Sequence, residues 1–172
     1  MKIMYQFCRF IVAFSFFGFL YGCATSPTAD LPDKKRTELE LYLTATEAND
    51  LLEKEGKNIL FVDVRTRGEV AKGAPALIDA HVPFVEKGED KKLAFNENLV
   101  SAVEARLKEK GLSQEDRIIL ICRNGNRTAG ATNQFAEAGY KTVYTITDGT
   151  IGWKENNLPW IDEIDEEKYY QP

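Results

Sequence analysis

Of the chain's 172 residues, three are cysteines and one is a histidine, and only one cysteine stands where it could do chemistry. Cys122 closes the apolar run Arg117-Ile-Ile-Leu-Ile-Cys122 and is followed at once by Arg123, Asn124, Gly125, Asn126, Arg127 and Thr128. A cysteine after an apolar strand is commonly a small buried hydrophobe. A core cysteine, however, has no use for a glycine and two arginines in the next five residues. A short glycine-bearing loop leading into a helix turns successive backbone N–H groups inward, forming an anion-binding nest backed by the helix dipole. The same field favours the thiolate, which is the nucleophilic form. Gly125 permits the tight turn, Arg123 and Arg127 set two cations beside the sulfur, and Thr128 can donate a hydroxyl hydrogen bond to it. Nucleophilic catalysis by Cys122 is the chemistry this spacing points to.

The elements that must carry this loop are legible on either side of it. Thr44 and Glu47 have capping-box spacing and open a helix through about Glu55, stopped at Gly56. Residues 58–64, Asn-Ile-Leu-Phe-Val-Asp-Val, read as a buried parallel strand. A loop bearing glycine, proline and alanine is predicted over 68–79, then a brief strand over 80–84. Asn96 can cap a helix from Glu97 to about Lys110, with Leu99, Val103 and Leu107 at helical spacing and Gly111 as its stop. After the strand Arg117–Cys122 come a helix over 127–138, a strand over 142–146 and a short helix from Gly149 to about Asn156. Strands alternating with helices predict an α/β fold: an open parallel sheet with helices on both faces. In such a sheet ligands sit beyond the carboxyl ends of the strands, where Cys122 falls.

The front of the chain has a different character. Lys2 and Arg9 are the only charges in the first 23 residues, and Phe10 to Leu20 is an uncharged apolar run of 11. That is the length of a signal-peptide core, whereas a bilayer-spanning helix needs about 20 residues. The run ends Leu20-Tyr21-Gly22-Cys23, which resembles a bacterial lipobox with Tyr21 in place of the usual small residue. Residues 1–22 are therefore expected to be a lipoprotein signal peptide, with Cys23 acylated. An uncleaved anchor and a simple secretory signal are the alternatives, and all three place the domain outside the cytoplasm. Ala24 is not the aspartate that marks inner-membrane retention in enteric bacteria, so by this resemblance the protein is expected in the cell envelope, on the outer membrane and facing the periplasm. Residues 23–43 are expected to be a lipidated N-terminus and flexible tether, residues 44–161 the domain, and residues 162–172 an acidic, solvated tail. With Cys8 removed and Cys23 acylated, Cys122 is left alone and no intramolecular disulfide can form.

Composition removes several classes of function. Hydrophobic residues at 44% and charged residues at 28% describe a globular protein. Twenty-two Lys and Arg against 27 Asp and Glu give a net −5, which becomes −7 once residues 1–22 leave. Nucleic-acid binding wants a clustered basic surplus, so no nucleic-acid partner is expected. No phosphate-binding loop, GxGxxG or metal-ligand spacing occurs, so neither a cofactor nor a metal is expected.

Cys122-Arg-Asn-Gly-Asn-Arg-Thr128 resembles the active-site loop of the rhodanese family of sulfurtransferases. Leu60-Phe-Val-Asp-Val-Arg65 with Glu69 is similar to the family's early "DVR…E" signature, and Asp148-Gly-Thr-Ile-Gly-Trp153 with Leu158-Pro159 resembles its closing segment. The likeness runs from Thr44 to Ile161. The family's "GHI-GA-NIP" stretch is replaced here by residues 72–83, with only Val82-Pro83 and a displaced His81 in common, which implies a reshaped loop flanking the pocket. His81 is expected to be structural, and Trp153 and Trp160 to pack in the core or at its rim. The related phosphatases and arsenate reductases carry C-x5-R; here Cys122 to Arg127 is C-x4-R and position 128 is threonine. The shorter loop suits one sulfur on the cysteine, and the longer one a tetrahedral oxyanion.

The resemblance implies ping-pong sulfur transfer through a Cys122 persulfide. The partners would be a small sulfane-sulfur donor such as thiosulfate and a thiol or cyanide acceptor, with a monomeric protein on its membrane anchor. Arg123 is the candidate for contact with the donor anion, and Arg127 for a strut paired with a carboxylate behind the loop. Asp63, Arg65 and Glu69 are the expected supporting network. A non-catalytic binding or sulfur-carrier module is the alternative, and a phosphatase or arsenate reductase a weaker one.

Overall fold

A computed structural model describes residues 31–87 and 92–164. Five parallel strands form its central sheet in the order β1 (Tyr42–Leu43), β8 (Val143–Ile146), β7 (Arg117–Ile121), β2 (Ile59–Asp63), β4 (Ala80–His81). β2 and β7 pair over five residues, from Ile59 opposite Arg117 to Asp63 opposite Ile121. Their unbroken apolar sequences follow from burial on both faces. Leu60, Val62, Ile118 and Leu120 point to one side, against Leu99, Val103 and Leu107 of α3 (Leu99–Glu109) and Phe135 of α4 (Asn126–Glu137). Ile59, Phe61, Ile119 and Ile121 point to the other, against Ala45, Ala48 and Leu52 of α1 (Ala45–Glu55) and Trp153 of α5 (Gly149–Glu155). The expected α/β architecture is the one observed.

The helix boundaries show which local signals act. Thr44 and Glu47 close the capping box of α1. α3 begins two residues later than predicted, because Asn96 is committed elsewhere: its Oδ1 accepts the Asn98 amide at 2.9 Å and its Nδ2 donates to the Pro83 carbonyl at 3.0 Å.

Elsewhere the chain departs from expectation. The predicted loop over 68–79 contains a one-turn helix, α2 (Arg67–Val70), opened by a second capping box between Thr66 and Glu69. It also contains β3 (Ala74–Pro75), paired antiparallel with β9 (Trp160–Ile161). Between β4 and α3 stands a hairpin of β5 (Val85–Lys87) and β6 (Leu93–Phe95).

The segment expected to be a tether is docked from residue 31 onward. Asp33–Lys35 form a single 3-10 turn, Lys35 Nζ donates to the Thr147 carbonyl at 2.8 Å, and the Glu38 amide donates to Asn133 Oδ1 at 3.0 Å. Thr37 is buried, Leu39 packs on the core, and β1 becomes an edge strand on β8. Free backbone donors and apolar side chains find partners on α4 and β8, so the folded unit starts before residue 44. At the other end Ile164 packs against the Trp153 core, three residues beyond the expected boundary. The expected signal peptide, the expected acylation site Cys23 and the expected tail beyond residue 164 lie outside the described residues.

Candidate active site

Cys122 follows the last residue of β7, near the middle of the sheet's carboxyl edge, and is wholly buried at 0% exposure. The turn that follows is held from two directions by backbone. Thr150 and Ile151, in the first turn of α5, donate their amides to the carbonyls of Cys122 and Arg123 at 2.8 and 3.1 Å. Gly149 adopts φ +60°, and a Cβ there would run into the Cys122 and Arg123 carbonyls. Gly125 adopts φ +86° and packs against the backbone of Thr147, leaving no room for a Cβ. Glycine is required at both places for conformation and for space.

Gly125 donates its amide to Cys122 Sγ at 3.2 Å. The Asn126 amide is directed at Asn124 Oδ1, at 3.5 Å. Thr128 plays a different part from the one expected. Its hydroxyl donates to the Gly125 carbonyl at 2.9 Å, so toward the neutral thiol it acts as acceptor, at 3.9 Å. Of the two loop arginines, Arg123 is exposed at the crest. Arg127 makes a two-pronged ion pair with Glu69, at 2.5 and 2.7 Å. That guanidinium, with help from the Thr66 amide and hydroxyl, holds the Glu69 pKa down to about 2. Glu69 in turn raises the Arg127 pKa, with a smaller contribution from the charge of Cys122. The pair ties the first turn of α4 to α2. The Oδ1 of Asn126 is buried without a hydrogen-bond partner.

Asp63 and Arg65 form a second, buried ion pair. Arg65 Nε reaches both Asp63 oxygens at 3.0 and 2.8 Å, and its amide reaches Oδ1 at 2.9 Å. Arg65 also donates to the Gly73 carbonyl at 2.9 Å and lies over the Trp160 ring, so it faces the β3–β9 corner. His81, 3% exposed, sets Nε2 2.8 Å from the Arg65 carbonyl, and burial pulls its pKa below the usual value. Trp153 is fully buried, stacked on Phe61 with its Nε1 donating to the Pro159 carbonyl at 2.9 Å. Among the described residues no group of three or more His, Cys, Asp or Glu is arranged to hold a metal.

The structure thus brings Cys122, Gly125, Arg127, Thr128 and Glu69 together, and sets Asp63, Arg65 and His81 behind α2. Sequence reasoning passed over Thr147, Thr150 and Lys35. The Asp148-Gly149 dipeptide signals a turn that would have pointed to the first two. Lys35 gives no local signal, because its partner lies 112 residues away.

A model of the rhodanese-like domain family matches residues 44–156. The chain belongs to this family. An uncharacterized protein of Rickettsia conorii is 35% identical to it over 126 residues, covering 69% of this chain and 94% of that one. Thiosulfate sulfurtransferase 16, chloroplastic, of Arabidopsis thaliana is 30% identical over 117 residues, covering 68% of this chain and 89% of its own. The crystal structure of Rv0390 from M. tuberculosis is similar with a TM-score of 0.54 at 26% identity, covering 70% of this chain and 96% of that one. Within this rhodanese-like domain, residues 31–43 precede the matched span and extend the sheet by its outermost strand.

Proposed function

We propose that this rhodanese-like protein is a membrane-tethered sulfurtransferase in which Cys122 carries the transferred sulfur. The observation that supports it is the six-residue loop from Cys122 to Arg127, with the Gly125 amide on the sulfur and Arg127 engaged by Glu69. A loop of this size encloses the cysteine sulfur closely, as a bound persulfide requires. The Cys122 thiolate attacks the outer sulfur of a donor such as thiosulfate. The donor's S–S bond breaks and its electron pair leaves with sulfite, giving the Cys122 persulfide. A thiol or cyanide acceptor then attacks the outer sulfur and releases the thiolate. Exposed Arg123 contacts the anionic donor, while Arg127 keeps the loop's shape. Burial of Cys122 means that the crest at residues 123–124 must part to admit the donor. The protein acts as a monomer held to the cell envelope, on the outer membrane, by acyl chains on Cys23.

The test is the intact mass of the reduced protein after thiosulfate treatment. A gain of about 32 Da in the wild type, absent from Cys122→Ser, is the expected result. A wild type that hydrolyses aryl phosphates yet takes no sulfur from thiosulfate, polysulfide or a persulfide donor would overturn it.

A further inference from the structure

Among the described residues three large apolar side chains stand exposed: Leu93 at 63%, Phe95 at 67% and Ile151 at 40%. All three lie on the edge of the sheet that carries Cys122. The five strands are parallel, so Leu43, Ile146, Ile121, Asp63 and His81 all end on that edge. Ile151 sits in the first turn of α5, with its amide on the Arg123 carbonyl. The hairpin is reached by chain running past the end of β2, where Val82 and Phe84 donate to the Asp63 and Val64 carbonyls at 3.0 Å each. Phe95 stands opposite Val85 and Leu93 opposite Lys87, so these four share one face of the hairpin. Glu86 turns the other way and accepts the Arg67 amide. The Phe95 ring meets Phe84 edge-on at 5.2 Å, and Phe84 fills the space a Cβ on Gly130 of α4 would need.

The N-terminal end of the described chain reaches the same edge. Lys35 Nζ bonds to the carbonyl of Thr147, the residue after β8, and the Lys35 amide donates to the Pro32 carbonyl, keeping the first turn beside it. Leu31 is eight residues from Cys23, a span of at most about 28 Å. That is close to the diameter of a small domain, so a chain anchored at Cys23 cannot readily turn its far edge to the membrane. Lys34 and Arg123 are exposed beside this edge, while Arg36 is paired with the exposed Asp33 of the same turn at 3.4 Å; the two unpaired cations suit anionic lipid headgroups.

We propose that this edge, with Leu93, Phe95 and Ile151 as its apolar contacts, docks on the phospholipid surface that holds the acyl chains of Cys23. The inference rests on the anchoring part of the function proposed above and not on the sulfur chemistry. Three side chains are too few to hold a free protein on a bilayer, but on an anchored one they need only orient it. Cys122 then opens toward the membrane, and sulfur is exchanged with carriers at the lipid interface while bulky soluble carriers are shut out.

The test uses the full chain with its acyl groups in vesicles of phosphatidylethanolamine and phosphatidylglycerol, carrying Phe95→Trp or Leu93→Trp. With bromine placed high on the lipid acyl chains, the emission added by the new indole should fall at least two-fold, while that of the wild type, from Trp153 and Trp160, changes little. Unchanged emission in both variants, with the acyl mass intact, overturns the docking and leaves the anchoring standing. An intact mass lacking acyl groups overturns the anchoring and the docking with it. A dimer in detergent that L93S/F95S dissolves would make a second copy the occupant, and would also overturn the proposal.

Discussion

The Cys122 loop and the β5–β6 hairpin rise from the same edge of the sheet and are secured in opposite ways. The loop is held by main chain: two amides of α5 on its carbonyls, and Gly125 pressed on the Thr147 backbone. Its ion pair, Arg127 with Glu69, adds a brace from the side. The hairpin is held by its own short ladder and by side chains: Phe95 on Phe84, Val85 against the core, and Glu86 accepting the Arg67 amide. It leaves Leu93 and most of Phe95 in water. Where position decides the chemistry the backbone is over-determined, whereas on the hairpin two large apolar side chains stay mostly in water.

This contrast breaks most severely at Gly125. Gly125→Ala forces a Cβ into a backbone carbonyl at positive φ, a strain of about 2–4 kcal/mol. Persulfide formation, read by mass, should fall by about 100-fold or more as the loop shifts. Wild-type activity in this variant would mean that the main-chain hold is not what positions the sulfur.

Glu69→Gln comes next, removing the charge that Arg127 grips. Because the Glu69 pKa is lowered from 4.5 to about 2, its contribution is fully present above pH 4.5 and is lost as pH falls toward 2. The side chain is partly open to water, so screening limits the contribution to about 1–2 kcal/mol. Acid unfolding followed by circular dichroism should show a wild-type loss across that window which Glu69→Gln lacks. The same profile in both proteins would show that the brace is idle.

Arg123→Ala should leave the melting temperature unchanged and weaken thiosulfate capture about ten-fold, the effect of one cation at an exposed site. Saturation kinetics should show the change in KM. Leu93→Ser should have the smallest effect, under about 0.5 kcal/mol, as an exposed substitution away from any packed contact. A large loss in thermal unfolding would place Leu93 in the folded core and erase the contrast.

What the sequence disclosed follows the range of the interactions. β2 and β7 are unbroken apolar runs, α1 carries its capping box within four residues, and the Cys122 loop is one contiguous string. Each is written locally, and each was legible. β1, β3 and β9 have two residues apiece, too few for a period, and exist only through partners up to 103 residues away. Residues 31–38 resembled a tether because their polar, proline-bearing composition hides the role of Lys35 and Thr37. At Thr128 the residue was identified from the sequence but the direction of its hydrogen bond was not, since the Gly125 carbonyl that claims its proton depends on the turn's geometry.

The two amides that Thr150 and Ile151 lend to the Cys122 and Arg123 carbonyls ask nothing of the side chains they hold in place. Any residue at 123 presents the same carbonyl and the same path through the turn, whereas Asn124 also turns its Oδ1 to the Asn126 amide. The side chain at 123 can therefore be exchanged for a bulkier, uncharged or acidic one to suit a different donor, with the scaffold unaltered. Gly125 and Gly149 have no such latitude, because each is confined by a backbone carbonyl as well as by its torsion. For evolution or design, specificity here is a replaceable cap fitted on two immovable feet.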